Sequence, residues 1–252
     1  MSNIQLFSYP TSPYAQKVGC YLKFKQLEFK LVGVNPLTND QIKFTRQRQV
    51  PVLQIGDEWR KESSDLGLWL DELYPKRPML PDSDAERDRI LAIDRWLSDS
   101  LIPSMFRAAC EWQNTFNSIT NGWKLSRAVS NATPLPLYIR LIWPFGVKRA
   151  PFIVDMVKQL DLSESMDDMM LRLQNEFVEH LDNGDFFGGR SEPSMADLSA
   201  FPIVVSGYMM GMRAKNFLLD KPEIKAWAMR MFNYLPDNPL LIPDQLIKRR
   251  LR

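Results

Sequence analysis

Thr11-Ser12-Pro13-Tyr14-Ala15-Gln16-Lys17-Val18, close to the N-terminus, is the segment around which the chain is organised. It follows Ile4-Gln5-Leu6-Phe7-Ser8, whose alternating apolar residues suit a strand. It precedes a segment in which Tyr14, Val18, Tyr21 and Leu22 share one face at helical spacing. Ser12 is therefore a natural N-cap, and Pro13 suits the first helical position, where no bond needs its missing N–H. A hydroxyl thus stands at the positive end of a helix, just past a strand. Such a place holds an anion, for instance a thiolate, well. An isolated Ser-Pro is most often a cap and nothing more, so both readings stay open at this point.

Working outward, Glu28-Phe29-Lys30-Leu31-Val32 alternates again and predicts a second strand. Gln49 to Ile55 predicts a third strand with Pro51 near its start, where a missing donor marks an edge or a special turn. Gly56-Asp57 turns the chain into a returning strand at Trp59-Arg60-Lys61. Glu62-Ser63-Ser64 then opens a helix with Leu66, Trp69, Leu70 and Leu73 on one face, and Pro75 stops it. The order strand, helix, strand, short helix, hairpin, helix describes a small α/β sheet domain. A Pro-rich linker follows, and everything after it has helical periodicity. Ser83 with Glu86, and Ser194 with Asp197, have capping-box spacing. The expected layout is an α/β domain over 1–76, a linker over 77–83 and an all-helical domain over 84–252.

Bulk properties exclude several classes of function. The 252 residues carry 32 basic and 30 acidic side chains, so no overall field favours nucleic acid. A single histidine, His180, rules out any site needing two imidazoles and falls in a helical pattern as a packing or surface residue. Cys20 and Cys110 lie far apart without CxxC spacing, which fits buried thiols in a reducing, cytoplasmic setting. No metal-ligand spacing is present. The most apolar segment, Leu135 to Phe145, is far short of the ~20 residues that span a bilayer, so no transmembrane segment is expected. The basic tail Lys248 to Arg252 reads as a frayed, solvated terminus.

Four motifs in this order resemble the cytosolic glutathione S-transferase superfamily. SPYAQKV at 12–18 is similar to its active-site stretch, and QVPVL at 49–53 to its cis-proline turn. ESSDLGLWLDELYP at 62–75 resembles its glutathione-binding Glu-Ser with the following helix, and SMADLSAF at 194–201 its helical-domain capping box. The resemblance implies a thioredoxin-like N-terminal domain and an all-α C-terminal domain. It further implies glutathione as co-substrate, no metal, a small hydrophobic electrophile and a homodimer. On the same basis Ser12 is the catalytic candidate, and Ser12, Gln49, Val50, Pro51, Glu62 and Ser63 form the glutathione site. A cis bond before Pro51 would turn the Val50 N–H and C=O outward to pair with the cysteinyl backbone of the tripeptide. Glu62 would take the γ-glutamyl ammonium and Ser63 the α-carboxylate. Tyr9 and Tyr14 are rival hydroxyl donors.

The long Trp112–Lys158 region with LPLYIRLIWPFG inside it, together with DFFGGRSEPSMADLSAF and EIKAWAMRM, makes the helical half resemble most the branch of prostaglandin E synthase 2 and metaxin-like proteins, whose members often carry Cys-Pro-x-Cys. Ser12 and Ala15 occupy both cysteine positions here, which excludes disulfide chemistry by that motif. Two expectations of different class follow. One is an enzyme that activates the glutathione thiolate; the other is a non-catalytic protein of the same fold that binds partners or a membrane surface. The aromatic segment 134–147 is expected mainly as buried core, with a substrate-pocket wall and an external docking face as alternatives.

Overall fold

The structure is a computed structural model and describes residues 3–111, 115–146, 151–212 and 216–251. The chain opens with β1 (Ile4–Ser8), passes Ser12 and enters α1 (Pro13–Phe24). It returns as β2 (Lys30–Gly33), parallel to β1 with Leu6 beside Leu31. Parallel neighbours require a crossover, and α1 supplies it. β3 (Val52–Ile55) and β4 (Glu58–Lys61) form the expected antiparallel hairpin around Gly56, which takes φ +61°. The sheet order is β2-β1-β3-β4.

One face of the sheet packs on α1 and on α2 (Ser63–Leu73), the beginning of a core that runs on into the helical half. Gly67 permits that approach, since a Cβ there would come within 2.8 Å of the Met195 sulfur. On the other face Phe7, Val34 and Val52 pack with Ile42 of a 3₁₀ turn at Asp40–Thr45, and Tyr9, Val32 and Val50 lie partly buried against them.

The helical half begins with α3 (Asp84–Trp96) and α4 (Ile102–Glu111), joined by a π turn at Leu97–Leu101. Pro103 has no N–H for the carbonyl four residues back, and the widened turn lies just before it. Then come α5 (Thr115–Ala132), α6 (Leu137–Gly146), α7 (Pro151–Val157), α8 (Met166–Leu181), α9 (Met195–Met209), α10 (Phe217–Asp220) and α11 (Pro222–Met231). α9 is the central helix: it is buried on nearly every side, as an all-round apolar sequence requires. α1 lies along it, and an aromatic cluster of Phe177, Phe187, Phe201 and Trp227 closes the far side.

This α/β unit followed by helices has the two-part layout expected from the sequence, an α/β N-terminal unit and an all-α C-terminal part. Several expectations need correction. β3 starts at Val52 rather than Gln49, because the chain at Gln49–Pro51 turns before it can join the ladder. Ser83 does start α3, but its side chain makes no capping bond. The basic tail is held: the N–H groups of Lys248 and Arg249 donate to the Met209 carbonyl at 2.7 and 3.1 Å. The segment before it folds back over α1, where Lys23 Nζ donates to the carbonyls of Asn238 and Leu240 at 3.0 and 2.6 Å. The aromatic segment is mostly not core, although Leu135 just before α6 is buried. Along α6 only Pro144 is buried, and Val147 lies outside the described residues. Cys20 is buried, which pushes its thiol up to about 12, while the Cys110 side chain lies outside the described residues.

Candidate active site

Strand register gathers the sequence candidates. Phe7 of β1 pairs with Val52 of β3, and Val52 pairs with Lys61 of β4. The C-terminal end of β1, the start of β3 and the end of β4 therefore share one edge of the sheet. Ser12, Val50-Pro51 and Glu62-Ser63 lie just beyond those three strand ends. Segments far apart in sequence are thus brought to one end of one rigid element.

Each segment presents groups that the protein does not use. Ser12 is the N-cap of α1, and its Oγ accepts the Ala15 N–H at a long 3.4 Å. Among the described residues no acceptor takes its hydroxyl proton. The Val50–Pro51 bond is cis, and no hydrogen bond among the described residues engages the Val50 N–H or C=O. Gln49 is exposed in the loop before it. Glu62 is exposed at the start of α2 and takes φ +65°, ψ 110°, a backbone conformation that non-glycine residues rarely adopt and that costs about 1–3 kcal/mol. Its carbonyl accepts the Leu66 N–H at 2.9 Å, which leaves the N–H groups of the first turn facing outward at the positive end of the helix. Ser63 is buried beside them. A groove of ≈ 500 Å³ next to β4 includes Glu62 but neither Ser12 nor Val50.

The two tyrosines are placed differently. Tyr9 donates its hydroxyl to Asn39 Oδ1 at 2.6 Å, and burial raises its phenol. Tyr14 donates to the Ser98 carbonyl at 3.3 Å, and burial together with the Asp99 charge pushes it up to about 12. Both protons are committed to acceptors within the protein.

Sequence reasoning missed the polar cluster beneath the site. Lys17, inside the opening motif, is fully buried and pairs with Asp94 of α3 at 2.8 Å. Burial lowers the Lys17 ammonium, while the charge and hydrogen bond of Asp94 act against that. Ser64 of α2 donates to Asp94 Oδ2 at 2.6 Å, and Ser199 of α9 donates to Oδ1 at 2.5 Å. Tyr21 joins through Ser199 at 2.6 Å. These bonds fix α1, and hence Ser12, against α2, α3 and α9. The available signal was a lysine three residues after Tyr14, on the apolar side of an amphipathic helix.

Residues 6–78 match the family described as Glutathione S-transferase, N-terminal domain. The chain is 24% identical to prostaglandin E synthase 2 of Mus musculus, over 94% of this chain and 71% of that protein. It is 35% identical to glutathione S-transferase Z1 of Arabidopsis thaliana, over 31% of this chain and 38% of that one. Among solved structures, maleylacetoacetate isomerase from Anaeromyxobacter dehalogenans 2CP-1 with bound GSH in the active site superposes with a TM-score of 0.56. That pair is 18% identical, covering 96% of this chain and 98% of the other. Residues 6–78 thus carry the sequence signature of a glutathione S-transferase N-terminal domain, and the whole chain shares the two-part fold of solved glutathione S-transferases.

Proposed function

We propose that this protein binds glutathione at the sheet edge formed by Val50, Pro51, Glu62 and Ser63, and that Ser12 stabilises its thiolate for attack on a hydrophobic electrophile. The observation that carries the reading is the set of unspent groups at that edge: the Ser12 hydroxyl, the Val50 backbone and the N-terminus of α2. Val50 would pair with the cysteinyl backbone of the tripeptide as an added strand. Glu62 would take its ammonium, and Ser63 with the first-turn N–H groups its α-carboxylate. Gln49, in the adjoining loop, would flank the same backbone. A free thiol near pKa ~8.5 is only a few per cent ionised at neutral pH, and a hydroxyl donor at a helix start favours the anion. The protein would then position that thiolate beside its electrophile, with no covalent bond to the chain. Tyr14 reaches the helical half, where Met156 Sδ lies 3.6 Å from its hydroxyl, so an apolar substrate would sit between the two halves. A homodimer and a 77–83 boundary between the halves belong to the same proposal.

Isothermal calorimetry tests it. Wild type should bind glutathione, and Glu62→Ala or Ser63→Ala should each weaken affinity by about 1.5–3 kcal/mol without loss of folding. Unchanged affinity in both variants removes the site. Turnover of an electrophile panel then separates an enzyme from a protein that only binds.

A further inference from the structure

The loop that carries Ser12 is held from two sides. At its start β1 ends on Ser8, whose Oγ donates to the Tyr9 carbonyl at 2.7 Å. Ser12 closes a turn by donating its N–H to that same carbonyl at 2.9 Å. Pro10, between them, is buried and brings no N–H, so its carbonyl is the only main-chain group it has to satisfy. Among the described residues one donor reaches that carbonyl, Nε2 of Gln16. Gln16 lies one turn into α1 and also gives its main-chain N–H to the Ser12 carbonyl at 2.9 Å. A single residue thus grips the loop at both Pro10 and Ser12.

The other end of the Gln16 amide faces away from the site. Its Oε1 accepts the Leu241 N–H at 2.9 Å, from near the far end of the sequence. Gln16 is only 5% exposed, so water does not compete for either bond. The two partners also fix the amide: a backbone donor must face its oxygen and a backbone acceptor its nitrogen, and a flipped amide would lose both. Leu241 belongs to a strap, 238–242, that lies along α1. Asn238 shapes the strap: its Oδ1 accepts the Leu240 N–H at 3.1 Å, and its Nδ2 donates to the Ile242 carbonyl at 2.8 Å and to Asp244 Oδ1 at 2.7 Å. Gly19 admits the strap, since a Cβ there would lie 2.7 Å from Leu241 Cδ2. The strap therefore reaches the Ser12 loop through one side chain.

We propose that Gln16 is a positioning residue, which passes the docking of the C-terminal strap on α1 to the loop that aims the Ser12 hydroxyl. The proposal rests on the reading of Ser12 given above, as the group beside the glutathione sulfur. Loss of the amide leaves the Pro10 carbonyl and the Leu241 N–H buried and unpaired, and the loop shifts to find other partners. Ser12 then drifts from the start of α1, and the pull of a helix terminus on an anion falls off within one turn.

A reporter thiol in the full chain tests this. In the Ser12→Cys protein, the rate of iodoacetamide labelling at position 12, read by peptide mass spectrometry, follows the ionisation of the thiol with pH. That thiol should ionise below the ~8.5 of a free one. Adding Gln16→Met should move the profile to higher pH and slow labelling at neutral pH roughly fivefold, because less thiolate is present. Adding Asn238→Ala instead, which removes no bond to Ser12 or Gln16, should move it the same way and slow labelling roughly twofold. Circular dichroism shows which variants are folded, and if Gln16→Met is not, Asn238→Ala decides alone. An unmoved profile in either folded double variant overturns the proposal, as does a Ser12→Cys thiol that titrates like a free one. Calorimetry keeps the two readings apart. With Ser12 in place, Gln16→Met should bind glutathione as tightly as wild type, since Val50, Glu62 and Ser63 are untouched, while thiolate-dependent turnover falls. Wild type that binds no glutathione removes the function proposed above, and the thiol titration still decides for Gln16.

Discussion

Ser12 and Ser194 both stand immediately before a helix, one in each half of the molecule, and their surroundings differ in a way that separates a site from a strut. Ser194 is fully buried, and Asp197 accepts both its N–H at 2.8 Å and its hydroxyl at 2.7 Å. The same carboxylate takes the Phe187 N–H at 3.0 Å and the Trp227 indole N–H at 2.8 Å. Every group there has a partner, and the knot pins α9 to the loop before it and to α11. Ser12 is half-exposed, makes one long capping bond and keeps its proton. A helix start that completes its own hydrogen bonds holds structure together. One that leaves them open beside solvent is able to receive a ligand.

The largest expected effect is at the closed end of this comparison. Asp197→Ala would strand the Phe187 and Ser194 N–H groups and the Trp227 indole in an apolar core. Each lost bond to a charged acceptor costs about 1.5–3 kcal/mol, so the total should be roughly 4 kcal/mol or more. Urea unfolding checks it; a loss under about 1 kcal/mol would mean that the capping knot is not what holds α9.

Lys17→Met is next. It removes one partner of a buried pair and leaves Asp94 charged in the core, at a cost of roughly 3–5 kcal/mol. Lys17→Met/Asp94→Leu should recover much of that loss, since a buried pair replaced by apolar groups is often neutral. A double variant as unstable as the single one would show that Ser64, Ser199 and Tyr21 need the charges, and that the cluster is more than a strut.

Glu62→Gly acts at the open end and should have the opposite sign. Glycine relieves the φ +65° backbone, offset by its own entropy in the unfolded chain, for a net gain of about 0.5–1 kcal/mol. Glutathione affinity should fall at the same time. A variant that is destabilised would show that the Glu62 side chain supports the fold, which its exposure argues against.

These contrasts also explain what the sequence could and could not convey. Period-two and period-3.6 patterns made the sheet and most helices legible, because burying one face imposes them directly. The Gly56 turn, the α2 start and the Met166–Leu181 stripe fall in the same category. Lys17–Asp94 was not legible, since pairing across 77 residues leaves no local pattern. α6 misled for a related reason. Its apolar periodicity is as strong as that of a core helix, and only the position of α5 decides which side faces solvent. Ser12 lies between these cases: local chemistry names it as a cap, and only the β1–β3–β4 register brings it to the same edge as Val50 and Glu62.

The smallest expected change in stability carries the most information. Ser12→Ala removes a cap whose bond is already long, so the loss should sit near the lower end of the ~0.5–2 kcal/mol range for such caps. Ser194→Ala, which also breaks a buried bond to Asp197, should cost distinctly more. If Ser12 acts on the glutathione sulfur, Ser12→Ala should lose thiolate-dependent turnover while still binding the tripeptide through Val50, Glu62 and Ser63. Ser12→Cys sharpens the point. A thiol at the start of α1 should ionise below the ~8.5 of a free thiol, because the helix terminus favours the anion. Its thiolate should attack one sulfur of oxidised glutathione, forming a protein–glutathione disulfide and releasing the other half as glutathione thiolate. Mass spectrometry after incubation reads the adduct directly. A folded Ser12→Cys protein that binds glutathione yet stays unmodified would place Ser12 away from the sulfur, and Ser12 would then be a strut like Ser194.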